Sequence, residues 1–334
     1  MFLFNITNNN ILLKNNHEQK ILEVKFLRLK ILCEGNNPNY KMGIDLGGGY
    51  IKMSIVDVSN SKVIYTHSVN YMLTKCLLQN NYVIPRFKIN EIINIIKDFL
   101  SYGKKYSVSK INAVATGGVR LAKNPDDLIN QVYMNTNVKI ELINGTKEAE
   151  LSRIGALMFF VNKPMYQNKQ FILIDIGSTS TEISKVTLNE TLFSVSKNIG
   201  TTIFTEKFKT FNRIINDLEF DEMNRFLDSY FKNININIPN DAIFILTGAI
   251  GFNILTRNNP FMSEDFIKNK GIIPITTDIV DNVLELTKNN KIVKNDDYER
   301  SFIHAFMLKY LFELFQIDMI YFSTTTLKES LAFI

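Results

Sequence analysis

Cysteine is scarce in this chain, with only Cys33 and Cys76 among 334 residues. Two thiols cannot build a disulfide framework or a multi-cysteine zinc site, so a reduced, cytoplasmic protein is expected. Long apolar runs are missing as well. The longest, such as residues 171–174, are strand-length and fall far short of the ~20 residues that span a bilayer, so no membrane association is expected. The amino terminus opens on Met1, Phe2, Leu3 and Phe4 but meets Asn5 and the run 8–10 of asparagines before a sustained apolar core develops, unlike a secretion leader. Charge of one sign does not accumulate either. A net charge of +5 suits an anionic ligand, yet the lysines are dispersed among Asn and Ile, and no nucleic-acid partner is expected.

What is present fits a folded body. With 46% hydrophobic and 21% charged residues the composition is that of a globular protein, and the length suits two domains of ordinary size. Residues 1–40 mix short apolar pieces with Asn-rich punctuation and end in the turn-like stretch 35–39, which marks an accessory extension. Ile44 and Asp45 then lead into the glycine loop Gly47-Gly48-Gly49; residues 51–58 alternate with the period of a strand, and 63–69 return as its hairpin partner. Residues 90–101 carry apolar groups at helical spacing, and 111–115 form a strand running into Thr116-Gly117-Gly118. The strand–loop–strand unit recurs about 130 residues later, where Ile174-Asp175-Ile176-Gly177 repeats Ile44-Asp45-Leu46-Gly47. Ser184 and Val186 stand in the second copy where Ser54 and Val56 stand in the first. A polar stretch containing Pro164, residues 162–169, separates the copies. The expected division is an extension over 1–40, one domain over 41–163 and a second over 164–334.

The repeated loops carry the first chemical signal. Glycine lacks the Cβ that blocks close approach and takes positive φ, so a glycine loop leaving a strand brings several backbone N–H groups near a phosphate. Two such loops, each preceded by an acid and related by duplication, point to phosphate more strongly than one. Asp45 and Asp175 at the strand ends suit Mg²⁺, which takes carboxylates, water and phosphate oxygens. The competing account is that each aspartate only caps its own loop by accepting backbone N–H bonds.

Residues 113–124, 143–151, 174–183 and 198–208 occur in the order seen in the exopolyphosphatase/guanosine pentaphosphate phosphohydrolase (Ppx/GppA) family, which this chain resembles from about residue 42 onward. Leu246-Thr247-Gly248-Ala249 resembles the family's third glycine turn, and the likeness is to its short, two-domain members. The resemblance implies an α/β fold of two duplicated actin-like (ribonuclease H-like) domains with a cleft between them. It also implies Mg²⁺ as cofactor, polyphosphate or guanosine pentaphosphate as partner, and a homodimer. Glu148 matches the family's catalytic acid and becomes the general base, while Arg120 absorbs charge on the phosphoryl oxygens. Glu182 joins Asp45 and Asp175 as a metal or water ligand. Phosphate contacts are implied for Gly47, Gly48, Gly49, Tyr50, Gly177, Ser178, Thr179, Ser180, Thr181 and Gly248. His304 lies among apolar residues at helical spacing and is assigned to packing or to the surface rather than to the site.

The chain departs from the family pattern in four places. Lys147 replaces the first acid of the glutamate pair; Gly48-Gly49-Tyr50 replaces small polar residues; Ser178-Thr179 replaces two glycines; and Lys328 and Ser330 replace an arginine and a glycine near the end. The Cβ atoms of Ser178 and Thr179 are expected to crowd a phosphate unless their hydroxyls serve as donors. Two other functions remain open at this stage: an ATP-dependent small-molecule kinase of the actin-like group, suggested by the glycine loops, and a phosphate or nucleotide sensor without turnover.

Overall fold

The structure, a computed structural model, describes residues 5–7, 10–12, 39–208, 217–259, 262–263, 266–267, 270–289 and 296–334. The accessory extension expected over 1–40 falls almost wholly outside the described residues, apart from a ribbon pairing Asn5–Thr7 with Asn10–Leu12.

Two sheets follow. In the first, β1 (Tyr40–Leu46), β2 (Tyr50–Asp57) and β3 (Lys62–Asn70) form an antiparallel meander, and β4 (Lys110–Ala115) and β5 (Ile140–Leu142) add in parallel on the other side of β1. The order is β3-β2-β1-β4-β5. The second sheet repeats this with β6 (Phe171–Ile176), β7 (Thr181–Val186), β8 (Thr191–Lys197), β9 (Ile243–Thr247) and β11 (Met319–Ser323), and it gains β10 (Ile272–Thr276) as an antiparallel edge. Its order is β8-β7-β6-β9-β11-β10. Register repeats as well: Asp45 faces Lys52 across β1–β2, and Asp175 faces Glu182 across β6–β7. This is the duplicated, actin-like α/β architecture, and the internal repeat seen in the sequence is a structural one.

Helices cover the sheets. On the outer face of the first lie α1 (Leu73–Gln79), α2 (Arg86–Lys105), α3 (Gly117–Arg120) and α4 (Pro125–Thr136). The spacing at 90–101 marks only the middle of α2, which starts directly after Pro85 and carries Lys104 and Lys105 in its last turn, where cations oppose the helix dipole. The helix α5 (Gly145–Leu157) comes next in the chain. On the outer face of the second sheet lie α6 (Thr201–Phe208), α7 (Asp217–Phe231), α8 (Ala249–Asn258), α9 (Thr277–Asn289) and α10 (Asp296–Phe315). The short α11 (Leu327–Ser330) follows β11. No helix among the described residues is long and apolar enough to cross a membrane.

α5 and α11 lie between the two sheets and pack on each other. The end of α5 buries Ala156 and Leu157 against Phe171, Leu173 and Ile245 of the second sheet. α11 crosses back to the first, where Leu327 and Leu331 meet Val114, Ile143 and Leu151. A single cut at 163/164 therefore separates the sheets but not the packing. Asn112 Nδ2 donates to the carbonyls of Leu331 (2.7 Å) and Ile334 (2.9 Å), fastening the last residues to β4.

Glycine makes these close approaches feasible. A Cβ on Gly155 would lie 1.9 Å from the Thr326 carbonyl oxygen, and one on Gly43 would lie 2.0 Å from that of Lys328. Alanine is the better helix former by about 1 kcal/mol, but overpacking against backbone costs roughly 1–3 kcal/mol. Gly155→Ala is accordingly expected to lower unfolding free energy in urea by about 1–2 kcal/mol. Gly103→Ala, whose Cβ would meet only the end of the Met42 side chain at 3.3 Å, should be neutral or slightly stabilising. Equal effects of the two substitutions would show that α5 and α11 do not depend on that contact.

Candidate active site

Each hairpin β1–β2 and β6–β7 turns through four residues closed by one bond. Gly47 N–H donates to the Tyr50 carbonyl at 3.1 Å and Gly177 N–H to the Ser180 carbonyl at 2.9 Å. The N–H groups of Gly48, Gly49, Ser178 and Thr179 donate to no backbone carbonyl among the described residues, so both loops present free donors. The Tyr71 hydroxyl donates to the Gly47 carbonyl and holds the first loop from behind. The loops meet at a cavity of about 130 Å³, into which Asp45, Glu148, Asp175 and Glu182 project from four different elements.

These acids are supported separately. Asp45 accepts from Thr116 Oγ1 at 3.4 Å, Asp175 from Ser152 Oγ at 3.5 Å, and Glu182 from Ser196 Oγ at 2.7 Å. Asn144 caps α5 by accepting the Lys147 N–H at 2.9 Å, which leaves Lys147 exposed and Glu148 turned inward in the first turn. The change to lysine at 147 thus falls outside the cavity. Arg120 Nη1 donates to Glu148 Oε2 at 2.5 Å and to the Ile143 carbonyl at 2.9 Å.

Most of the residues singled out in the sequence share this cavity. Asp45, Gly47, Gly48, Gly49, Tyr50, Glu148, Asp175, Gly177, Ser178, Thr179, Ser180, Glu182 and Gly248 all line it. Two do not. Arg120 sits behind Glu148 and acts on that carboxylate. Thr181 is fully buried, and its hydroxyl donates to the Ile199 carbonyl at 2.6 Å, because strand alternation turns it away from the face that carries Ser180 and Glu182.

Among the lining residues not singled out in the sequence, three carry basic side chains. Lys52 occupies in the first hairpin the place of Glu182 in the second, a correspondence already implicit in the repeat. Arg300 reaches across from α10 and donates to the Tyr50 hydroxyl at 3.1 Å. His304, assigned from its spacing to packing or the surface, is buried but also lines the cavity one turn beyond Arg300; burial, helped by Arg300, pushes its pKa down to about 3, and its Nδ1 accepts from Asn253 Nδ2 at 2.9 Å.

The loops also fit each other. A Cβ at Gly48 would lie 1.9 Å from Thr179 Oγ1, and one at Gly49 would lie 2.1 Å from Ser178 Oγ. The two side chains expected to crowd their own loop are seated in space that the opposite loop leaves bare, and Thr179 Oγ1 lies 2.5 Å from Thr74 Oγ1 across the cleft.

Electrostatics follow from gathering four acids in a small volume. Burial raises the pKa of Asp45, with Asp175 adding to the shift. Burial together with Glu182 pushes Glu148 up to about 8 despite Arg120, and burial together with Asp175 pushes Glu182 up to about 7. A cation would relieve this repulsion. Among the described residues no three His, Cys, Asp or Glu side chains form a ready-made metal cage. The donor set instead fits Mg²⁺, which takes one or two carboxylates and completes its shell with water and phosphate oxygens.

Comparison with known proteins agrees with this geometry. The curated relatives include a bifunctional 3-dehydroquinate synthase/phosphatase of Fusobacterium nucleatum, 28% identical over 59% of this chain and 30% of that protein. They also include an exopolyphosphatase 1 of Mycobacterium leprae, 22% identical over 49% of this chain and 48% of that protein. The chain therefore spans less than half the length of these relatives. Among solved structures, an Aquifex aeolicus Ppx/GppA enzyme superposes with a TM-score of 0.71 at 17% identity, over 88% of this chain and 98% of that one. An exopolyphosphatase from Cytophaga hutchinsonii gives 0.74 at 18% identity, over 87% and 96%. At such identities the likeness is one of fold. The family model for Ppx/GppA phosphatases, however, matches residues 53–333, which take in the second sheet, the second loop, Glu148 and the first sheet apart from β1 and the start of β2, and the chain belongs to that family.

Proposed function

We propose that this chain hydrolyses phosphoanhydrides, releasing the terminal phosphate of inorganic polyphosphate or guanosine pentaphosphate by in-line attack of water. The observation that carries this reading is Glu148, a largely buried carboxylate held by Arg120 in the same cavity as two Asp–Gly loops. A group whose pKa is near 8 accepts a proton from water far better than an ordinary carboxylate does. The N–H groups of Gly48, Gly49, Ser178 and Thr179, which donate to no backbone carbonyl among the described residues, and the hydroxyls of Ser178 and Ser180 belong to residues that line this cavity and would stabilise phosphoryl charge there. One or two of the carboxylates of Asp45, Asp175 and Glu182 would hold Mg²⁺, with water and phosphate oxygens completing its shell, and the ion when bound would neutralise charge on the phosphoryl oxygens. Arg120 keeps the Glu148 carboxylate aimed. A cavity of about 130 Å³ is well below the roughly 300 Å³ at which drug-sized ligand pockets begin. That size favours a terminal phosphoryl group over a nucleoside at the reacting end, in keeping with the exopolyphosphatases among the relatives.

The direct measurement is orthophosphate release from long-chain polyphosphate, guanosine pentaphosphate, and ATP with a sugar mixture, each with Mg²⁺. Release from either of the first two is expected, and Glu148→Gln should lower kcat by about 10²–10⁴-fold with little change in KM. Undiminished turnover in Glu148→Gln would rule out its role as base. ATP consumption only when an acceptor is present would favour a kinase, and binding without release would favour a sensor.

The pH profile gives an independent check. The base works ionised, and its pKa is raised, so kcat/KM of the free enzyme should climb as pH rises through about 7 to 8 and then level off. Arg120 favours the ionised form of Glu148; Arg120→Ala should therefore shift the rising limb to still higher pH rather than abolish it. A limb unchanged in Arg120→Ala would mean that some other group sets it.

A further inference from the structure

His304 is a buried imidazole that the proposed mechanism leaves without a task. It is 4% exposed, yet it belongs to the wall of the acid-lined cavity. Two helices on the outer face of the second sheet place it there. Arg300 and His304 stand one turn apart on one face of α10, and Arg300 closes on the Tyr50 hydroxyl at 3.1 Å. α8 starts at Ala249, beside Gly248 and Ile250 in the same wall, and one turn later it carries Asn253. Asn253 Nδ2 donates to His304 Nδ1 at 2.9 Å. An amide nitrogen only donates, so this bond makes Nδ1 an acceptor and puts the imidazole proton on Nε2. Burial and the Arg300 cation keep a second proton off the ring. The polar side-chain atoms sealed in the interior without a partner among the described residues are Ser54 Oγ, Gln170 Oε1 and Thr247 Oγ1. His304 Nε2 has no hydrogen bond among the described residues and is not one of these, because it opens onto the cavity.

A neutral imidazole locked in this tautomer is a hydrogen-bond donor of fixed direction. A hydroxyl in the same wall can turn its proton elsewhere, whereas the Nε2–H direction is set by the bond to Asn253. An imidazolium would repel the cation that the four acids call for; a neutral donor polarises an oxygen without that penalty and without giving up its proton. We infer that His304 is a catalytic residue whose Nε2–H donates to an oxygen of the phosphoryl group under attack, and that Asn253 is the positioning residue that selects its tautomer. The proton stays on Nε2 throughout, and the proton released by the attacking water goes to Glu148. The inference rests on the terminal-phosphate reading above and adds to the loop N–H groups a donor from α10, an element apart from both hairpins and from the helix that carries the base.

The test uses the full chain with Mg²⁺ and tripolyphosphate. In turnover, His304→Leu should lower kcat by about 10²-fold, the loss that follows removal of one donor to developing charge, with KM little changed. His304→Gln, whose amide can return an N–H donor to the cavity, should recover about ten-fold of that loss. A kcat unchanged in His304→Leu, or an equal loss in both variants with unfolding midpoints like that of the wild type, would overturn the inference and leave the terminal-phosphate reading standing. The second measurement keeps the native ring. The Glu148→Gln chain, used so that tripolyphosphate is not consumed, is labelled with 15N-histidine, and the signal of His304 is picked out from those of the three histidines by its loss in His304→Gln. The expected spectrum shows the Nε2–H tautomer, with the Nε2 proton moving downfield on addition of tripolyphosphate. An Nδ1–H tautomer, or an Nε2 proton that does not move, would overturn the inference. Should the wild type release no phosphate, the hydrolase reading fails, and the Nε2 signal still decides whether His304 donates to phosphate.

Discussion

The desolvation of four carboxylates in one small cavity is the constraint on which the other features depend. Asp45, Glu148, Asp175 and Glu182 come from two hairpins and a helix start, and none would be brought there by its own local preferences. Burial and mutual repulsion push the pKa of Glu148 up to about 8 and that of Glu182 up to about 7, well above an ordinary surface acid. Arg120 and the hydroxyls of Thr116, Ser152 and Ser196 reduce that cost without removing it. What remains is an environment suited to a divalent cation and a polyanion arriving together.

The duplicated fold supplies this cavity by bringing two versions of one hairpin face to face. They have diverged in a complementary way: the first loop is bare at Gly48 and Gly49, and the second fills that space with Thr179 and Ser178. The opposed strand positions have diverged likewise, to Lys52 in one copy and Glu182 in the other. A symmetric pair of glycine loops would leave a gap, and a symmetric pair of Ser-Thr loops would clash. Behind the loops, α5 and α11 cross between the sheets at Gly155 and fix the spacing of the two halves.

Much of this was readable from the chain, and for identifiable reasons. The alternation of β2 and β7, the glycine loops after Asp45 and Asp175, and their recurrence are local patterns, so the hairpins, the α/β class and the duplication appear in sequence. Glu148 was found through resemblance, since an acid in the first turn of a helix is by itself unremarkable in chemistry. Thr181 was misplaced on a run of contiguous motif residues, although alternation along a strand sends neighbours to opposite faces. Spacing alone assigns His304 to packing or to the surface; it is buried, and the turn of α10 that also brings it to the cavity wall is not readable from spacing.

The two hairpins, their loops and the acids at their strand ends are set locally, because period-two patterning, glycine and repetition act over a few neighbouring residues. Which side chains share the cavity is settled by tertiary packing: Arg300 meeting Tyr50 across 250 positions, Asn253 bonding to His304, Arg120 turning onto Glu148. Those relations depend on helix rotation, sheet register and the approach of α5 to α11. Each of these is set by packing between segments far apart in the chain, where no local pattern records the distance.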